Sequence, residues 1–302
     1  MRKKIKLPRY PVYIPSKGRY DNCLTADLFV KHKVPFYLVV EPQEYEDYVK
    51  KYGDKSVLKL PFSNRGSVIP TRNWIKEHST KNGYKRHWQW DDNIKDTYRF
   101  YRGKRIKCPA GVSMAVAEDF SDRYENIAIT GLEYTMFGFY QAKTSPFQLN
   151  IRVYSCSLIN NEIPHKWRGS YNEDTDLCLQ VLSDGWCTVL INAFMCDKQA
   201  TMTMGGGNTA VLYQGDGRAK MARSLERLWP GVVETKRRFQ RPQHVVKNGW
   251  QKFDTPLKRR KDIDWDKIKK EPHDYKMNLN AKAPIKSRKI KELYEQRKQR
   301  AD

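Results

Sequence analysis

The chain lacks the usual marks of secreted and membrane proteins. Its 302 residues contain six cysteines, at positions 23, 108, 156, 178, 187 and 196, and none of them forms a C-x-x-C pair. Closed zinc sites normally pair their cysteines closely, so we expect reduced structural thiols. No apolar run approaches the roughly 18 residues that span a bilayer. The amino terminus, Met-Arg-Lys-Lys-Ile-Lys, has no apolar signal segment. These absences predict a cytoplasmic protein that does not contact membranes.

Acidic residues are also scarce. Asp and Glu number 34 against 57 Lys and Arg, for a formal net charge of +23. Residues 216–302 hold 26 basic and 12 acidic residues, a net +14, which leaves +9 for residues 1–215. This balance favours a polyanionic partner, nucleic acid ahead of an acidic membrane surface. Hydrophobic residues at 39% exclude a wholly disordered chain.

Segments of strand and helix character alternate along the first part of the chain, which predicts an α/β fold with a largely parallel sheet. We place a core in residues 1–215 and a basic C-terminal extension, broken by prolines, in residues 216–302. Strands are predicted at residues 10–15, 35–40, 57–60, 87–90, 126–130, 148–154 and 188–192. Helices are predicted at residues 22–33, 44–52, 72–78 and 175–183.

An aromatic strand ends in two carboxylates within the segment His87–Ile94, which reads His-Trp-Gln-Trp-Asp-Asp-Asn-Ile. Open α/β sheets bind ligands at the carboxyl ends of their strands. Adjacent hard oxygen ligands there suit a divalent cation that also holds a diphosphate. The alternative is an acidic surface turn without a function.

Four segments of the core stand out in order along the chain: Ile14–Arg19, Arg65–Asn73, Trp90–Asn93 and Asn172–Asp176. This order is typical of GT-A glycosyltransferases, and the chain resembles that group. Val12–Arg19 (Val-Tyr-Ile-Pro-Ser-Lys-Gly-Arg) together with Asp-Asp-Asn is similar to the phage TET-associated glycosyltransferases. The resemblance covers residues 10–215. It implies a GT-A-like, Rossmann-like sheet flanked by helices, and sugar transfer to hydroxymethylated pyrimidines in DNA.

The resemblance also implies residue roles. Pro15, Ser16 and Arg19 would line the pocket for the base and ribose of the donor. Arg72 and Asn73 would hold the nucleotide or brace the acidic loop. Asp91 would face the ribose and Asp92 the metal-bound diphosphate, with Mn²⁺ or Mg²⁺ as the ion. The third position of the motif is usually acidic and is Asn93 here, which leaves open which of Asp91, Asp92 and Asn93 contacts the ion.

The chemistry of glycosyl transfer asks for two further functions. A cation must neutralise the leaving diphosphate, and a carboxylate must take the proton of the attacking hydroxyl. We choose Asp174 as that base, with Glu173 beside it to orient the acceptor, in an inverting reaction with UDP-glucose or UDP-GlcNAc as donor. The alternative is an acidic helix start stabilised by the macrodipole, and both interpretations can hold together.

Other residues carry weaker signals. His165 and Trp167 lie in an expected acceptor loop, and the glycines between Met202 and Asn208 permit close approach to a phosphate or sugar. His244 is a candidate late metal ligand without local support. Three functions remain open beside DNA glycosylation: transfer to a polysaccharide or protein, binding of nucleic acid without catalysis and, less favoured, nucleotidyl transfer. If the chain is phage-encoded, we expect it in the host cytoplasm.

Overall fold

The structure is a computed structural model of the chain. It describes residues 7–64, 66–101, 104–137, 145–199, 203–207, 217–238 and 240–270. The basic stretch Ser287–Arg300, which the sequence allows as a helix, lies outside these residues, as do Arg65, Met202 and Asn208. In the described part no helix is long and apolar enough to cross a membrane.

The fold is α/β, with one large sheet between helices. Its ten strands run β3-β2-β1-β4-β9-β7-β10-β5-β6, and β8 pairs with β10. The strands are β1 Val12–Pro15, β2 Tyr37–Val40, β3 Val57–Lys59, β4 Arg86–Trp90, β5 Ile94–Tyr101, β6 Lys104–Lys107, β7 Ile127–Tyr134, β8 Phe147–Leu149, β9 Cys156–Asn160 and β10 Cys187–Lys198.

Most of these strands run in one direction. The strands β1, β2, β3 and β4 are parallel neighbours, and β7 and β10 form another parallel pair. The strand β9 runs antiparallel to both β4 and β7, so those two groups share a direction, as does β6. Only β5, β8 and β9 oppose them among the described strands of this sheet. The expected largely parallel α/β sheet is therefore confirmed.

Seven α-helices lie in the described residues: α1 Leu24–His32, α2 Tyr45–Tyr52, α3 Ile69–Lys81, α4 Ala110–Ser121, α5 Glu173–Ser183, α6 Gly217–Leu228 and α7 Trp265–Lys270. The helix α3 begins three residues before the predicted start, with Pro70 in its first turn, where a missing N–H costs no hydrogen bond. The predicted strand at residues 148–154 is wrong, because β8 ends at Leu149 and the chain is irregular until β9 begins at Cys156.

Two hydrophobic layers cover the sheet. On one side Phe29 of α1 and Met114 of α4 are fully buried in a cluster with Trp90 of β4. A second cluster packs α5 against the sheet through Leu177 and Val181. All six cysteines are buried and free, as expected for structural thiols.

The described part of the C-terminal segment packs on the core. A hairpin of β11 Val233–Arg238 and β12 Arg241–Val246 joins α6, and Val233, Val246 and Leu225 bury themselves against Leu179 of α5. Further on, the carbonyls of Thr255 and Pro256 accept hydrogen bonds of 2.9 Å from Asn150 and Asn126. Residues 217–238 and 240–256 thus pack on the core and form part of the folded body.

Candidate active site

The candidate site lies at the carboxyl edge of the sheet, where several strands end together. The strands β1 and β4 are parallel neighbours, with Val12 opposite Trp88. The loop that follows Pro15 and the carboxylates that follow Trp90 therefore meet. Because β10 runs in the same direction as β4, its last residue, Lys198, reaches the same edge. The predicted placement of the Asp-Asp pair at this edge is confirmed.

Asp92 turns towards the loop that follows β1. Ser16 donates a hydrogen bond of 2.8 Å to Asp92 Oδ2, and the Arg19 guanidinium forms an ion pair with Asp92 Oδ1. The Ser16 hydroxyl also lies 2.7 Å from the hydroxyl of Tyr48 on α2. Burial raises the pKa of Asp92, and Arg19 opposes that rise. Both oxygens of Asp92 are thus engaged in holding the loop.

The glycine-rich loop closes against this first loop. Arg19 Nε donates to the carbonyl of Gly205 at 2.9 Å. Gly206 has a left-handed φ of 71°, and a Cβ there would lie 2.4 Å from the carbonyl oxygen of Gly18. Only glycine fits this contact, so the loop of residues 203–207 is built to lie on residues 17–19.

Asp91 has a different environment from Asp92. Arg72 donates to its Oδ1 at 2.9 Å. Its Oδ2 accepts from Lys198 Nζ at 2.7 Å and from Ser155 Oγ at 2.6 Å. Burial acts to raise the pKa of Asp91, but the charges of Lys198 and Arg72 outweigh it and hold that pKa well below its usual range. Asp91 is therefore a carboxylate held between two cations.

Arg72 joins Asp91 to the second acidic segment. It lies in α3, and its side chain is only 4% exposed. Its Nε is 3.5 Å from Glu173 Oε1, and one of its terminal nitrogens is 3.7 Å from Asp174 Oδ1. Asn172, which precedes α5, has a left-handed φ of 55°. The helix then begins at Glu173, so Glu173 and Asp174 lie in its first turn. Arg72 is therefore a buried cation and not a surface residue of α3.

Burial perturbs both carboxylates at the start of α5. Burial first, and then the negative charge of Asp174, raises the pKa of Glu173 to about 7. Burial also raises the pKa of Asp174, against the opposing charge of Arg72. Perturbed carboxyl groups of this kind cluster at sites of proton transfer.

The two asparagines of the predicted site have separate positions. Asn73 donates to the carbonyl of Trp167 at 2.9 Å and accepts from its backbone N–H at 3.0 Å, which ties α3 to the loop before α5. Asn93 Oδ1 is buried and has no hydrogen-bond partner in the described part of the chain. The backbone carbonyl of Asn93 accepts from Gln199 at 2.9 Å, beside the end of β10.

Neither His165 nor His244 lies beside the carboxylates of Asp91, Glu173 and Asp174. His165 Nε2 lies 2.6 Å from Asp184 Oδ2, at the far end of α5 from Glu173. His244 lies on β12, and burial first, with the charge of Arg152 adding to it, lowers its pKa to about 4.

Lys198 and Ser155 are site residues that the sequence analysis missed. Lys198 Nζ is 2.7 Å from Ser155 Oγ, which in turn lies 2.6 Å from the hydroxyl of Tyr134. The ring of Tyr134 stacks on that of Tyr154 at 6.2 Å. Burial acts to lower the pKa of Lys198, but Asp91 outweighs it and the pKa stands well above its usual value. Lys198 is therefore a charged group within the site.

Comparison with known proteins identifies the family. Residues 10–207 match the family described as TET-Associated Glycosyltransferase. The chain belongs to this family. The match includes Ser16, Arg72, Asp91, Asp174 and Lys198, and the family name makes the chain a glycosyltransferase. No curated protein matches the chain.

The donor expected from the sequence is a nucleoside diphosphate sugar, and a divalent ion is one means of holding such a diphosphate. All four carboxylate oxygens of Asp91 and Asp92 already accept from Arg72, Lys198, Ser155, Arg19 or Ser16. The described residues contain no group of three His, Cys, Asp or Glu side chains placed to hold a metal ion. In this arrangement the residues do not fit a divalent ion without rearrangement, because the ion would have to share the oxygens of Asp91 and Asp92 with these donors or displace one of them.

Proposed function

We propose that this TET-associated glycosyltransferase moves a sugar from a nucleoside diphosphate sugar to the hydroxyl of a 5-hydroxymethylpyrimidine in DNA, such as 5-hydroxymethylcytosine. One observation carries the proposal: Arg72 joins Asp91, Glu173 and Asp174 at a single edge of the sheet. That arrangement places carboxylates able to take a proton beside cations able to receive a diphosphate.

The donor is expected on the side of the first loop. Pro15, Ser16 and Arg19 are buried there, and residues 203–207 pack on Arg19. We expect UDP-glucose or UDP-GlcNAc, held in a GT-A-like manner with its diphosphate towards Arg72 and Lys198, the cations beside Asp91. A donor bound beside these packed loops would be partly shielded from water, which limits loss of the sugar by hydrolysis.

Asp174 is the proposed base. Its elevated pKa brings it nearer to neutral pH, where a general base is most effective. It would take the proton of the hydroxymethyl group as that oxygen attacks the anomeric carbon, in an inverting displacement. Glu173 lies beside Asp174, shares the proton with it and orients the acceptor.

The acceptor is inferred from charge. Residues 217–270 alone carry 17 Lys and Arg against 6 Asp and Glu, a net +11. In the hairpin, Arg238 lies directly opposite Arg241, and both are exposed. Like charges at opposed positions destabilise a ladder. Neither side chain, nor that of the exposed Arg237, has an acidic partner in the described residues. A polyanion such as DNA would compensate this cluster.

Transfer of a labelled sugar tests the proposal. The full chain is incubated with labelled UDP-glucose or UDP-GlcNAc and with hydroxymethylated DNA, unmodified DNA, a bacterial polysaccharide or a protein mixture. Label on hydroxymethylated DNA alone is the expected result. Label on the polysaccharide or protein fraction would show that DNA is not the acceptor. Absence of transfer from every donor of a broad panel, with DNA binding retained, would favour a binding protein without catalysis.

A further inference from the structure

Lys198 supplies a second positive charge beside Asp91, in addition to that of Arg72. It is the last residue of β10, and its side chain is 20% exposed. An ammonium group carries three N–H donors. Two of them have partners within the described residues, Asp91 Oδ2 and Ser155 Oγ, both at 2.7 Å. The third has no hydrogen-bond partner among the described residues, which leaves it for a ligand.

The neighbouring residues fix the position of the Lys198 side chain. Ser155 adopts a left-handed φ of 58°, a conformation that a serine takes only when its neighbours require it. The Asp91 backbone N–H donates to the Ser155 carbonyl at 2.7 Å. The ring of Tyr134 lies 5.8 Å from Lys198 Nζ. This is a built site for an ammonium group.

The position of Lys198 also decides what Asp91 can do. A divalent ion would use Asp91 as a ligand, but Lys198 and Arg72 take both of its oxygens. Asp92 offers no substitute, because Ser16 and Arg19 take both of its oxygens. The positive charge nearest to the Asp91 carboxylate is therefore that of the Lys198 side chain.

We propose that Lys198 is a catalytic residue that neutralises the departing nucleoside diphosphate in place of a divalent metal. The inference rests on the proposed glycosyl transfer. As the acceptor oxygen bonds to the anomeric carbon, the bond from that carbon to the β-phosphate oxygen breaks and its electron pair stays on the phosphate. The hydroxyl proton passes to Asp174. Lys198 remains protonated and donates its third N–H to the new phosphate charge.

The first experiment compares the wild-type chain with Lys198→Ala in a chelator and in Mn²⁺ or Mg²⁺. We expect the wild type to keep its full transfer rate in the chelator. Lys198→Ala should lose about 10²–10³-fold in kcat, as when one donor to a developing anion is removed. Because the substitution removes the positively charged donor to Asp91 Oδ2 and leaves only the Ser155 hydroxyl there, added Mn²⁺ should restore part of the variant's rate without changing that of the wild type. A merely structural lysine would not give this selective rescue.

The matched control is Lys95→Ala. Lys95 also forms an ion pair with an aspartate of β10, Asp197 at 3.5 Å, in the same sheet. It should keep wild-type kcat and show no response to Mn²⁺. Should Lys198→Ala fail to fold, Lys198→Gln removes the charge and keeps a polar side chain for the same assays.

Direct binding of UDP, measured by calorimetry in the chelator, separates this inference from the proposed function. Wild-type chain should bind UDP, and Lys198→Ala should bind about 10–100-fold more weakly, as expected for loss of a charge-assisted hydrogen bond. Those two results without transfer to hydroxymethylated DNA would contradict the acceptor and leave the role of Lys198 standing. UDP binding or transfer by the wild type that requires Mn²⁺ would overturn it, as would a variant within threefold of wild type.

Discussion

Lys198 donates to Asp91 across 2.7 Å and so joins the end of β10 to the loop after β4. This contact completes a chain of charges from Lys198 through Asp91 to Arg72 and on to the carboxylates of α5. The arrangement alternates sign, so each carboxylate has a cation beside it. Changes to single members should therefore have distinct and measurable effects.

Loss of Arg72 should destabilise the fold as well as the activity. Arg72→Ala leaves Asp91, Glu173 and Asp174 without their shared buried cation, and removal of one partner of a buried pair costs about 3–5 kcal/mol. Urea unfolding measures the change in the free energy of unfolding. The control is Lys166→Ala, because Lys166 pairs with Glu77 at 2.9 Å on the surface, with both side chains more than 60% exposed. That loss should be below about 1 kcal/mol. Equal effects of the two substitutions would contradict the role of Arg72 as a hub.

Asp174→Asn should lower kcat by roughly 10²–10⁴ while UDP binding stays nearly intact, because it removes the base but keeps the shape of the side chain. Steady-state transfer and calorimetry measure the two effects. The control is Asp176→Asn in the same helix turn. Asp176 is fully buried against Arg168 and Trp229, so this variant should lose stability rather than chemistry. A near-normal rate for Asp174→Asn would shift the role to Glu173 or indicate a retaining reaction.

The pH dependence follows from the pKa of about 7 for Glu173, which burial and the charge of Asp174 raise against the opposing charge of Arg72. The transfer rate should rise with pH through about 7 as the Glu173–Asp174 pair loses its last proton. Glu173→Gln removes the negative neighbour of Asp174 and should move this limb to lower pH. A limb that stays in place would mean that the pair does not control the rate.

The same shift has a consequence for stability. The folded-state pKa of Glu173 lies above the unfolded value of about 4.3, so the folded chain binds this proton more tightly. The contribution is complete at acid pH and is lost as the pH rises through about 7. Thermal unfolding at several pH values should show that Glu173→Gln removes this part of the pH dependence. An unchanged dependence in the variant would assign it to other groups.

Binding of DNA should depend on the hairpin. Replacement of Arg237, Arg238 and Arg241 by alanine should weaken binding and lower the salt slope by up to about 2.7, at 0.9 for each lost phosphate contact. The control replaces three exposed lysines elsewhere, Lys31, Lys50 and Lys55. Fluorescence anisotropy over a range of salt concentrations measures both slopes. Equal slopes for the two triple variants would mean that binding follows net charge alone.

The C-terminal segment calls for a shorter deletion than its composition suggests. A cut before Thr255 would remove the carbonyls of Thr255 and Pro256 that hold Asn150 and Asn126. Deletion of residues 271–302 spares those contacts and removes a net charge of only +4, from 9 basic and 5 acidic residues. It should weaken DNA binding less than the hairpin substitutions and leave UDP binding unchanged. A larger loss from the deletion, measured by the same anisotropy titration, would move the main DNA contact to the end of the chain.

The sequence predicted where the site lies on the sheet better than it predicted which side chains meet there. The order of strand and helix segments placed Asp91 and Asp92 at the carboxyl edge, because parallel strands end together. The meeting of Arg72 with Glu173 and Asp174 joins residues about a hundred positions apart, and no local pattern could indicate it. Only the family resemblance brought those segments into one site.

Lys198 was missed for a different reason. The predicted strand ended at residue 192, but β10 slips its register against β7 between Ile191 and Met195 and continues to Lys198. A slip of this kind interrupts the alternation from which strands are predicted. A single lysine in a chain with 57 basic residues then carries no signal of its own.

The most direct test of the account is nucleoside mass spectrometry of hydroxymethylated duplex DNA after incubation with the full chain and UDP-glucose or UDP-GlcNAc. The account predicts a new nucleoside that carries the sugar on its hydroxymethyl group, formed by the wild type and strongly reduced with Asp174→Asn. Unmodified DNA should give none. Intact hydroxymethyl nucleosides with every donor of a broad panel, from a chain that binds both UDP and the DNA, would contradict it.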